Sequence, residues 1–499
     1  MTALSRAIAR PAPVAGFGDR SPLHGLERRR IGVVDLAAQS VAAVAPAAAA
    51  TTVVLMVAGV APGVTVTAIL AAAILAFGVA RTVGVFARRF AASGGLYTYT
   101  ARGLGTRAGL AGGAAILTGY AAVAMFALLG GAYYTSYLLR GLWPDLDGVL
   151  VAAGAVVAQA ALVAFVLVRG IRVSARAALV VETLSVVLIV VLLIALLVSI
   201  GPIDPSVLLG AGAAGATPLS FAAGAVIALT AFVGFESAAT LGVESVSPLR
   251  NVPRAVTGTV VLSGALYLLA AVTQVAGFDA LGADLAASAS PVNDLATASG
   301  LGGWAVVADI GIAASFLACA IGTTTALVRV LFAMSRDGVL PAAVGRTHVR
   351  FGTPAAAVGA AVPVIAAVPL VLVVTGVDLR DAMHVTLSVG AAGYILAYVL
   401  VCAAAPVFLR RIGELTPAPA VVAVLSAVAL AAALLAFFAV DVFSGGTVLI
   451  VLAAIALSTA VVIGVIRRRK GPGAIGRYDE PVAAQVLGGV PSPTRPDDA

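Results

Sequence analysis

The sequence predicts an all-α integral membrane protein with about twelve transmembrane helices. Its composition is the first observation that leads to this fold class. Of the 499 residues, 61% are hydrophobic and only 10% are charged, and the mean hydropathy is +1.11. Because soluble domains carry about 25% charged residues, this composition excludes an ordinary soluble core.

Apolar runs of about 20 residues, the length that crosses the hydrocarbon core as a helix, are the second observation. They predict spans one to twelve at residues 33–58, 64–86, 109–138, 149–168, 174–199, 219–247, 255–277, 303–333, 355–375, 384–409, 418–440 and 445–466. An even number of spans places both termini on the same side of the membrane.

Basic residues give the third observation and the orientation. Nearly all of the 30 Lys and Arg residues fall in the N-terminal region, the tail and every second connection. Cytoplasmic loops carry this excess, so both termini are predicted to be cytoplasmic, in the plasma membrane. The net charge of +8 therefore reports topology and does not indicate nucleic-acid binding.

One transmembrane domain, residues 31–470, accounts for most of the chain. Residues 1–30 are expected to form a cytosolic N-terminal segment, and residues 471–499 a cytosolic, disordered tail. Cys319 and Cys402 lie inside apolar runs, so no disulfide framework is indicated. No P-loop and no metal-spacing motif occurs, and we expect neither a cofactor nor a metal.

The sixth span contains an acid at an unusual depth. Gly234, Phe235 and Glu236 interrupt an otherwise apolar helix near its middle. A carboxylate inside the membrane is costly and is a functional candidate by default. Gly234 also allows the backbone to leave helical geometry, which would free backbone groups to bind a polar solute.

Three separated motifs carry a family resemblance. The sixth span, FVGFESAATLGVESVSPLRNVPRAV, is similar to the sixth helix of the amino acid/polyamine/organocation (APC) permeases. RFAASGGLYTYTARGLGTRAGLAGG, from Arg89 to Gly113, resembles the family's connection between spans two and three. SFLACAIGTTTALVRVLFAMSRDGVLP, from Ser315 to Pro341, is the third motif, and the order of the three is the one expected.

The resemblance implies a LeuT-like fold, in which spans one to five and six to ten are inverted repeats and spans one and six are broken around the substrate. In span one, Pro46 removes a backbone donor and would leave carbonyl groups available at the preceding turn. The helix start after the break would face a substrate carboxylate, and carbonyls of span six would face an ammonium group. The implied substrate-binding residues are Ala42, Ala43, Val44, Ala45, Pro46, Phe232, Val233, Gly234 and Phe235.

Glu236 has three interpretations at this stage. It could couple proton movement to transport, stay ionised and hold a gate, or bond the loose amides of the unwound turn. Similar proton-coupled permeases place a lysine in span five, at about Ser185 here, but the only lysine of the chain is Lys470. The remaining proton or ion candidates are Glu182 and Ser185 in span five, with Ser315 and Cys319 in span eight.

Other charged and polar residues suggest structural roles. Glu244 is expected to pair with Arg250 or Arg254, whereas Asp309 has no sequence-local cation. Hydrogen bonds and charge pairs are expected to fix the inner gate; the residues concerned are Tyr97, Tyr99 and the run from Arg336 to Gly338.

The sequence therefore predicts a secondary active transporter of amino acids, which works by alternating access and is proton-coupled or an exchanger. The alternatives are a transporter of polyamine- or ethanolamine-type amines, and a channel or non-transporting sensor on the same scaffold. An enzyme is not expected. The predicted partners are a small-molecule substrate, the lipid bilayer and a coupling proton or sodium ion, with no nucleic acid.

Overall fold

The structure is a computed structural model that describes residues 21–209, 217–288, 290–443, 446, 452 and 475–480. The predicted twelfth span, residues 445–466, lies outside the described residues apart from positions 446 and 452. The first 20 residues and most of the predicted tail also lie outside them.

The described chain is helical throughout its length. In order, the α-helices are α1 (Val33–Val44), α2 (Pro46–Val60), α3 (Thr65–Ala87), α4 (Leu96–Leu104), α5 (Thr106–Leu142), α6 (Gly148–Arg169), α7 (Ile171–Ile200), α8 (Pro205–Leu209), α9 (Pro218–Thr230), α10 (Pro248–Leu281), α11 (Pro291–Ala298), α12 (Gly303–Arg336), α13 (Ala355–Val374), α14 (Leu379–Arg411) and α15 (Pro417–Phe443). Short 3₁₀ helices cover Phe235–Leu241, Leu285–Ala287 and Ala342–Gly345.

Eleven stretches of the described chain are long and apolar enough to cross a membrane. They correspond one to one with predicted spans one to eleven, and the all-α membrane fold is confirmed. Proline at the first turn sets several helix starts, as at Pro218 and Pro248, because the missing N–H is not needed there. Span seven begins earlier than predicted, at Pro248, since its polar first turns are helical as well.

Spans one and six are each built from two helical pieces. In span one, α1 ends at Val44 and α2 starts at Pro46, and Ala45 between them is left-handed, with φ +49°. In span six, α9 ends at Thr230 and the 3₁₀ helix follows Gly234, whose φ is +102°. A left-handed alanine costs about 1–2 kcal/mol, so the surrounding structure must hold Ala45 in place.

Small residues allow the long helices to pack closely, as the Ala- and Gly-rich sequence suggests. Helix α14 crosses α5 where Gly393 approaches the backbone of Gly119: a Cβ on Gly393 would lie 2.8 Å from the Gly119 nitrogen. The ring of Tyr394 covers Gly119 in turn, 2.7 Å from where its Cβ would lie. These contacts pack α14 and α5 around the broken spans.

Residues 21–31 run across one face of the helix bundle, where the α3–α5 connection and residues 475–480 also lie; we call it the basic face. The amide of Arg29 donates to the carbonyl of Val243 (3.2 Å), and the amide of Val246 donates to the carbonyl of Ile31 (2.9 Å). The segment that enters span one is thereby joined to the segment that leaves span six.

Candidate functional site

The two helix breaks contact each other at the centre of the molecule. A Cβ on Gly234 would lie 2.8 Å from the carbonyl oxygen of Ala43, and a Cβ on Gly322 of α12 would lie 2.6 Å from the Ala43 nitrogen. Only glycine leaves room for this approach. The backbone of α1 is therefore packed between the span six break and α12.

The first turn of α2 is hydrogen-bonded by the protein's own side chains. The amide of Ala47 donates to Glu182 Oε1 (3.2 Å), and the amide of Ala48 donates to Ser315 Oγ (3.2 Å). Ser315 Oγ donates in turn to Glu182 Oε1 (3.0 Å). Pro46 has no N–H, and the Ala49 amide bonds to Ala45 (3.0 Å). The amides that were expected to face a substrate carboxylate are thus occupied in this conformation.

Glu182 lies where α7, α2 and α12 meet. Its side chain is almost completely buried, and its second carboxylate oxygen, Oε2, has no hydrogen-bond partner among the described residues. A buried carboxylate oxygen without a donor is costly, so Oε2 is the unsatisfied atom of this cluster. The structure brings two of the sequence candidates together here, since the hydroxyl of Ser315 in span eight lies 3.0 Å from Glu182 Oε1 in span five.

The two other polar candidates near this point differ in their contacts. Cys319 Sγ donates to the carbonyl of Ala43 (3.3 Å), so it contacts the span one break. Ser185 instead donates to the carbonyl of Val181 in its own helix (2.9 Å). Its hydroxyl is therefore directed along α7 and not toward span one.

Glu236 sits between two tyrosines that the sequence analysis did not identify. Tyr120 of α5 donates to Glu236 Oε1 (2.8 Å), and Tyr398 of α14 donates to Oε2 (2.5 Å). Tyr394 packs edge-on against Tyr120, with ring centroids 5.3 Å apart. Buried tyrosines usually need a partner for the hydroxyl, so tyrosines within predicted spans were the signal that could have located these contacts.

The backbone of span six is held by α1 and α10. Ser40 of α1 donates to the carbonyl of Phe235 (2.8 Å), and the amide of Ala238 donates to Ser40 Oγ (3.2 Å). Tyr267 of α10 donates to the carbonyl of Ala231 (2.7 Å). These bonds hold the backbone of span six on both sides of its break.

A cavity of about 30 Å³ lies beside the span one break, large enough for about two water molecules. An amino acid needs more room, so the cavity is too small to hold one in this conformation. Phe316, which lines it, packs edge-on against Phe126 at 5.4 Å and stacks on Tyr134 at 5.9 Å. Of the predicted substrate-binding residues, the cavity is lined by Ala43, Val44, Ala45 and Val233; Ala42, Pro46, Phe232, Gly234 and Phe235 are buried beside it without lining it.

The expected pairing of Glu244 with Arg250 or Arg254 is wrong. Glu244 instead forms a two-pronged ion pair with Arg329 of α12, at 2.8 and 2.9 Å, and both side chains are buried. The fold, and not sequence proximity, selects the partner: a buried carboxylate needs a cation at the same depth, and α12 supplies one there.

Two further acids accept hydrogen bonds from neighbouring side chains. Asp309 accepts a hydrogen bond from the side-chain amide of Asn293 (3.0 Å). Asp337, which follows α12, accepts one from the hydroxyl of Tyr97 (2.7 Å), and both belong to the set that the sequence analysis expected to be hydrogen-bonded. Burial raises the pKa of the Asp337 carboxyl, and burial followed by the nearby Asp337 charge raises the pKa of Tyr97.

These features define the class of protein: a multi-pass membrane protein with two broken helices that meet beside buried carboxylates, as in transporters with midplane binding sites. The sequence profile of the amino acid permease family matches residues 35–467. The chain therefore belongs to the amino acid permease family, within the APC superfamily suggested by its motifs, and it is a transporter.

Individual relatives agree with this assignment. An uncharacterized transporter of Mycobacterium tuberculosis (strain ATCC 25618 / H37Rv) is 32% identical over 357 residues, 68% of this chain and 74% of that protein. The branched-chain amino acid permease BcaP of Bacillus subtilis (strain 168) is 26% identical over 314 residues, 59% of this chain and 64% of that protein.

Among solved structures, the crystal structure of MhsT in complex with L-phenylalanine is similar, with a TM-score of 0.55 and 15% identity over 82% of this chain and 99% of that chain. At this identity the likeness concerns the fold alone. It confirms the LeuT-like fold, with its two five-span repeats and broken spans one and six.

Proposed function

We propose that this transporter carries amino acids across the plasma membrane by alternating access, and that its basic face is cytoplasmic. The observation that carries the proposal is the contact between the two broken spans, at which Ala43 and Gly234 lie backbone to backbone beside a small cavity. Unwound backbone at this depth is tolerated where it lines a binding cavity. The BcaP relative, named as a branched-chain amino acid permease, supports the same substrate class.

Protons are the proposed coupling ion, with Glu182 and Glu236 as the groups that carry them. Both side chains are buried at a helix break, and Glu182 Oε2 has no partner among the described residues. Glu236 differs, because tyrosine hydroxyls satisfy both of its oxygens. Sodium is less well supported at Ser185, whose hydroxyl bonds to its own helix.

The test is uptake into proteoliposomes across a panel of labelled amino acids and amines, under imposed proton or sodium gradients. We expect gradient-sensitive uptake of apolar amino acids, stimulated by an inward proton gradient. No gradient-sensitive uptake or exchange of any compound would contradict the transporter assignment and favour a sensor. Glu236→Gln should change the pH dependence; an unchanged pH dependence would mean that Glu236 is structural.

A second substrate class, amines without a carboxylate, is favoured by one specific observation. Glu182 and Ser315 occupy the amides at the start of α2, where a substrate carboxylate was expected to bind. An amine would not need those amides. Competition between leucine and isoamylamine, its counterpart without the carboxylate, decides the matter: stronger competition by isoamylamine identifies an amine transporter.

The proposed orientation can be tested through the single lysine of the chain, Lys470. If both termini are cytoplasmic, an amine reagent that cannot cross the membrane should label neither Lys470 nor the N-terminal amine in intact cells. Labelling should appear after permeabilisation. Labelling of either group in intact cells would show that this terminus is outside the cell and that the proposed orientation is wrong.

A further inference from the structure

Residues 475–480 of the C-terminal tail are docked on the basic face, although the tail was expected to be disordered; we call this segment the tail strap. It is separated in sequence from the other elements of that face. Gly476 and Asp479 are buried in the contact. Our prediction of disorder stands only for the rest of the tail, which lies outside the described residues.

Asp479 is the most heavily bonded residue of the tail strap. Its side chain is 0% exposed and forms ion pairs with Arg28 (2.8 Å) and Arg29 (2.7 Å). It also accepts a hydrogen bond from Ser21 Oγ (2.7 Å), and its own amide donates to the carbonyl of Ala91 (2.8 Å). Charge-assisted hydrogen bonds of this kind are about twice as strong as neutral ones.

Asp337 holds the other end of the tail strap. The amide of Gly476 donates to Asp337 Oδ2 (2.6 Å), and the amide of Arg477 donates to Oδ1 (3.3 Å). The same carboxylate accepts the hydroxyl of Tyr97. Gly476 fits tightly: its φ is +76°, and a Cβ there would lie 2.8 Å from the Cβ of Ala101.

Between these ends, Tyr478 packs against the α3–α5 connection. Its ring lies 4.8 Å from that of Phe90, and the guanidinium of Arg102 lies 4.6 Å above it. Arg102 also donates to the carbonyl of Gly476 (2.9 Å). The tail strap therefore makes polar, ionic and aromatic contacts, which distinguishes it from a chain that merely lies on a surface.

The tail strap joins two groups of helices that are expected to move relative to each other during transport. Arg28 and Arg29 precede broken span one, and Arg29 Nη1 donates to the carbonyl of Gly242 (3.2 Å), after the break in span six. Asp337 instead terminates α12. In alternating access, the helices around a fixed site rock against one another, so a segment that binds both groups opposes their separation.

We propose that the tail strap, docked on the basic face as an intramolecular partner, holds that face closed, so that opening on this side requires its release. The backbone of Arg29 is strained where it meets the tail strap, which supports the proposal. Its φ is +55°, and among the described non-glycine residues only Ala45 also has a positive φ. Such strain persists where surrounding contacts impose it. The inference rests on the proposed transport cycle, but its test needs no known solute.

The test measures opening of the basic face in the full-length chain, held in lipid nanodiscs so that both faces meet the reagent. Ser93→Cys is the reporter, because Ser93 is fully buried on this face and its hydroxyl contacts the carbonyl of Arg329 (3.5 Å). A polar maleimide reacts with it only after opening. The natural cysteines, Cys319 and Cys402, are both buried, and the chain without the reporter gives their background.

Two variants release the tail strap by different means. Asp479→Asn removes the charge that faces Arg28 and Arg29, and Gly476→Ala introduces a clash without changing any charge. Each should raise the labelling rate by roughly tenfold, the effect of losing one hydrogen bond to a charged group. Glu480→Gln is the matched control, since this exposed carboxylate belongs to the same segment, and its labelling rate should be unchanged.

Melting temperatures of the same variants are measured in parallel. They distinguish a tail strap that controls opening of the basic face from one that only stabilises the fold. Unchanged labelling in both Asp479→Asn and Gly476→Ala would overturn the proposal, and so would a lower melting temperature with unchanged labelling, since the segment would then only brace the fold. If labelling responds as expected but no solute of the panel is carried, the tail strap is upheld while the proposed substrate class fails.

Discussion

Gly234 lies directly on the backbone of Ala43: a Cβ at position 234 would be 2.8 Å from the carbonyl oxygen and 2.9 Å from the carbonyl carbon of Ala43. The two residues are 191 positions apart in the numbering of the chain. Their contact joins the break in span six to the break in span one. The proposed binding site is therefore formed by both broken spans together.

Gly234→Ala should therefore impair transport. The new methyl group meets the Ala43 backbone, and φ of +102° strains any residue with a Cβ. Displacement of the site by a fraction of an ångström should reduce the transport rate by about tenfold or more, measured as initial uptake into proteoliposomes. Gly258→Ala is the control, because no atom lies within 4 Å of its Cβ position; equal loss in both variants would contradict the prediction.

Glu182→Ala should destabilise the start of α2. The amide of Ala47 and the hydroxyl of Ser315 would both lose their acceptor, at a cost of about 1–3 kcal/mol, seen as a lower melting temperature in detergent. Glu182→Gln should recover most of this loss, because its amide oxygen can still accept both bonds, while removing any proton-dependent step from transport.

Ser185→Ala is the matched control for Glu182→Ala, since among the described residues this hydroxyl bonds to the carbonyl of Val181 one turn away and to no other group. It should leave both the melting temperature and the sodium dependence of uptake unchanged. A loss of sodium-dependent uptake in this variant would instead make Ser185 an ion ligand.

In the buried ion pair between Glu244 and Arg329, removing one partner should destabilise the protein more than replacing both. Removing one partner leaves the other charge buried and unpaired, so Glu244→Leu or Arg329→Leu should each cost about 3–5 kcal/mol of stability. Replacing both by leucine should cost much less. Thermal unfolding of the four proteins forms a double-mutant cycle, and additive effects would show that the pair is not coupled.

Asp337 should make stability depend on pH. Burial raises the pKa of its carboxyl above the ordinary value, so the folded protein retains this proton at a higher pH than the unfolded chain. Asp337 therefore contributes its full stabilisation of the folded state when the pH is below the pKa that this carboxyl has in the unfolded chain. This stabilisation is lost as the pH rises through the pKa that it has in the folded protein. As the pH rises above about 4, the ordinary pKa of an aspartate, the melting temperature of the wild type should fall relative to that of Asp337→Asn; parallel curves would contradict this.

The spans could be predicted from the sequence because hydrophobic length and charge placement are local properties. The broken spans could also be located, at Pro46 and Gly234, because each residue acts on its own backbone. The partners of the buried acids could not. Glu244 meets Arg329, and Glu236 meets Tyr120 and Tyr398, across helices whose rotation about their axes depends on the packing of the whole bundle.

The sequence by itself determined the membrane setting, the helical fold, the predicted orientation and the positions of the two breaks, because these follow from composition and from single residues. Only the tertiary structure decided what the breaks contact. It placed Glu182 on the Ala47 amide of α2 and residues 475–480 on the basic face, since long-range hydrogen bonds and ion pairs form only when distant helices are packed together.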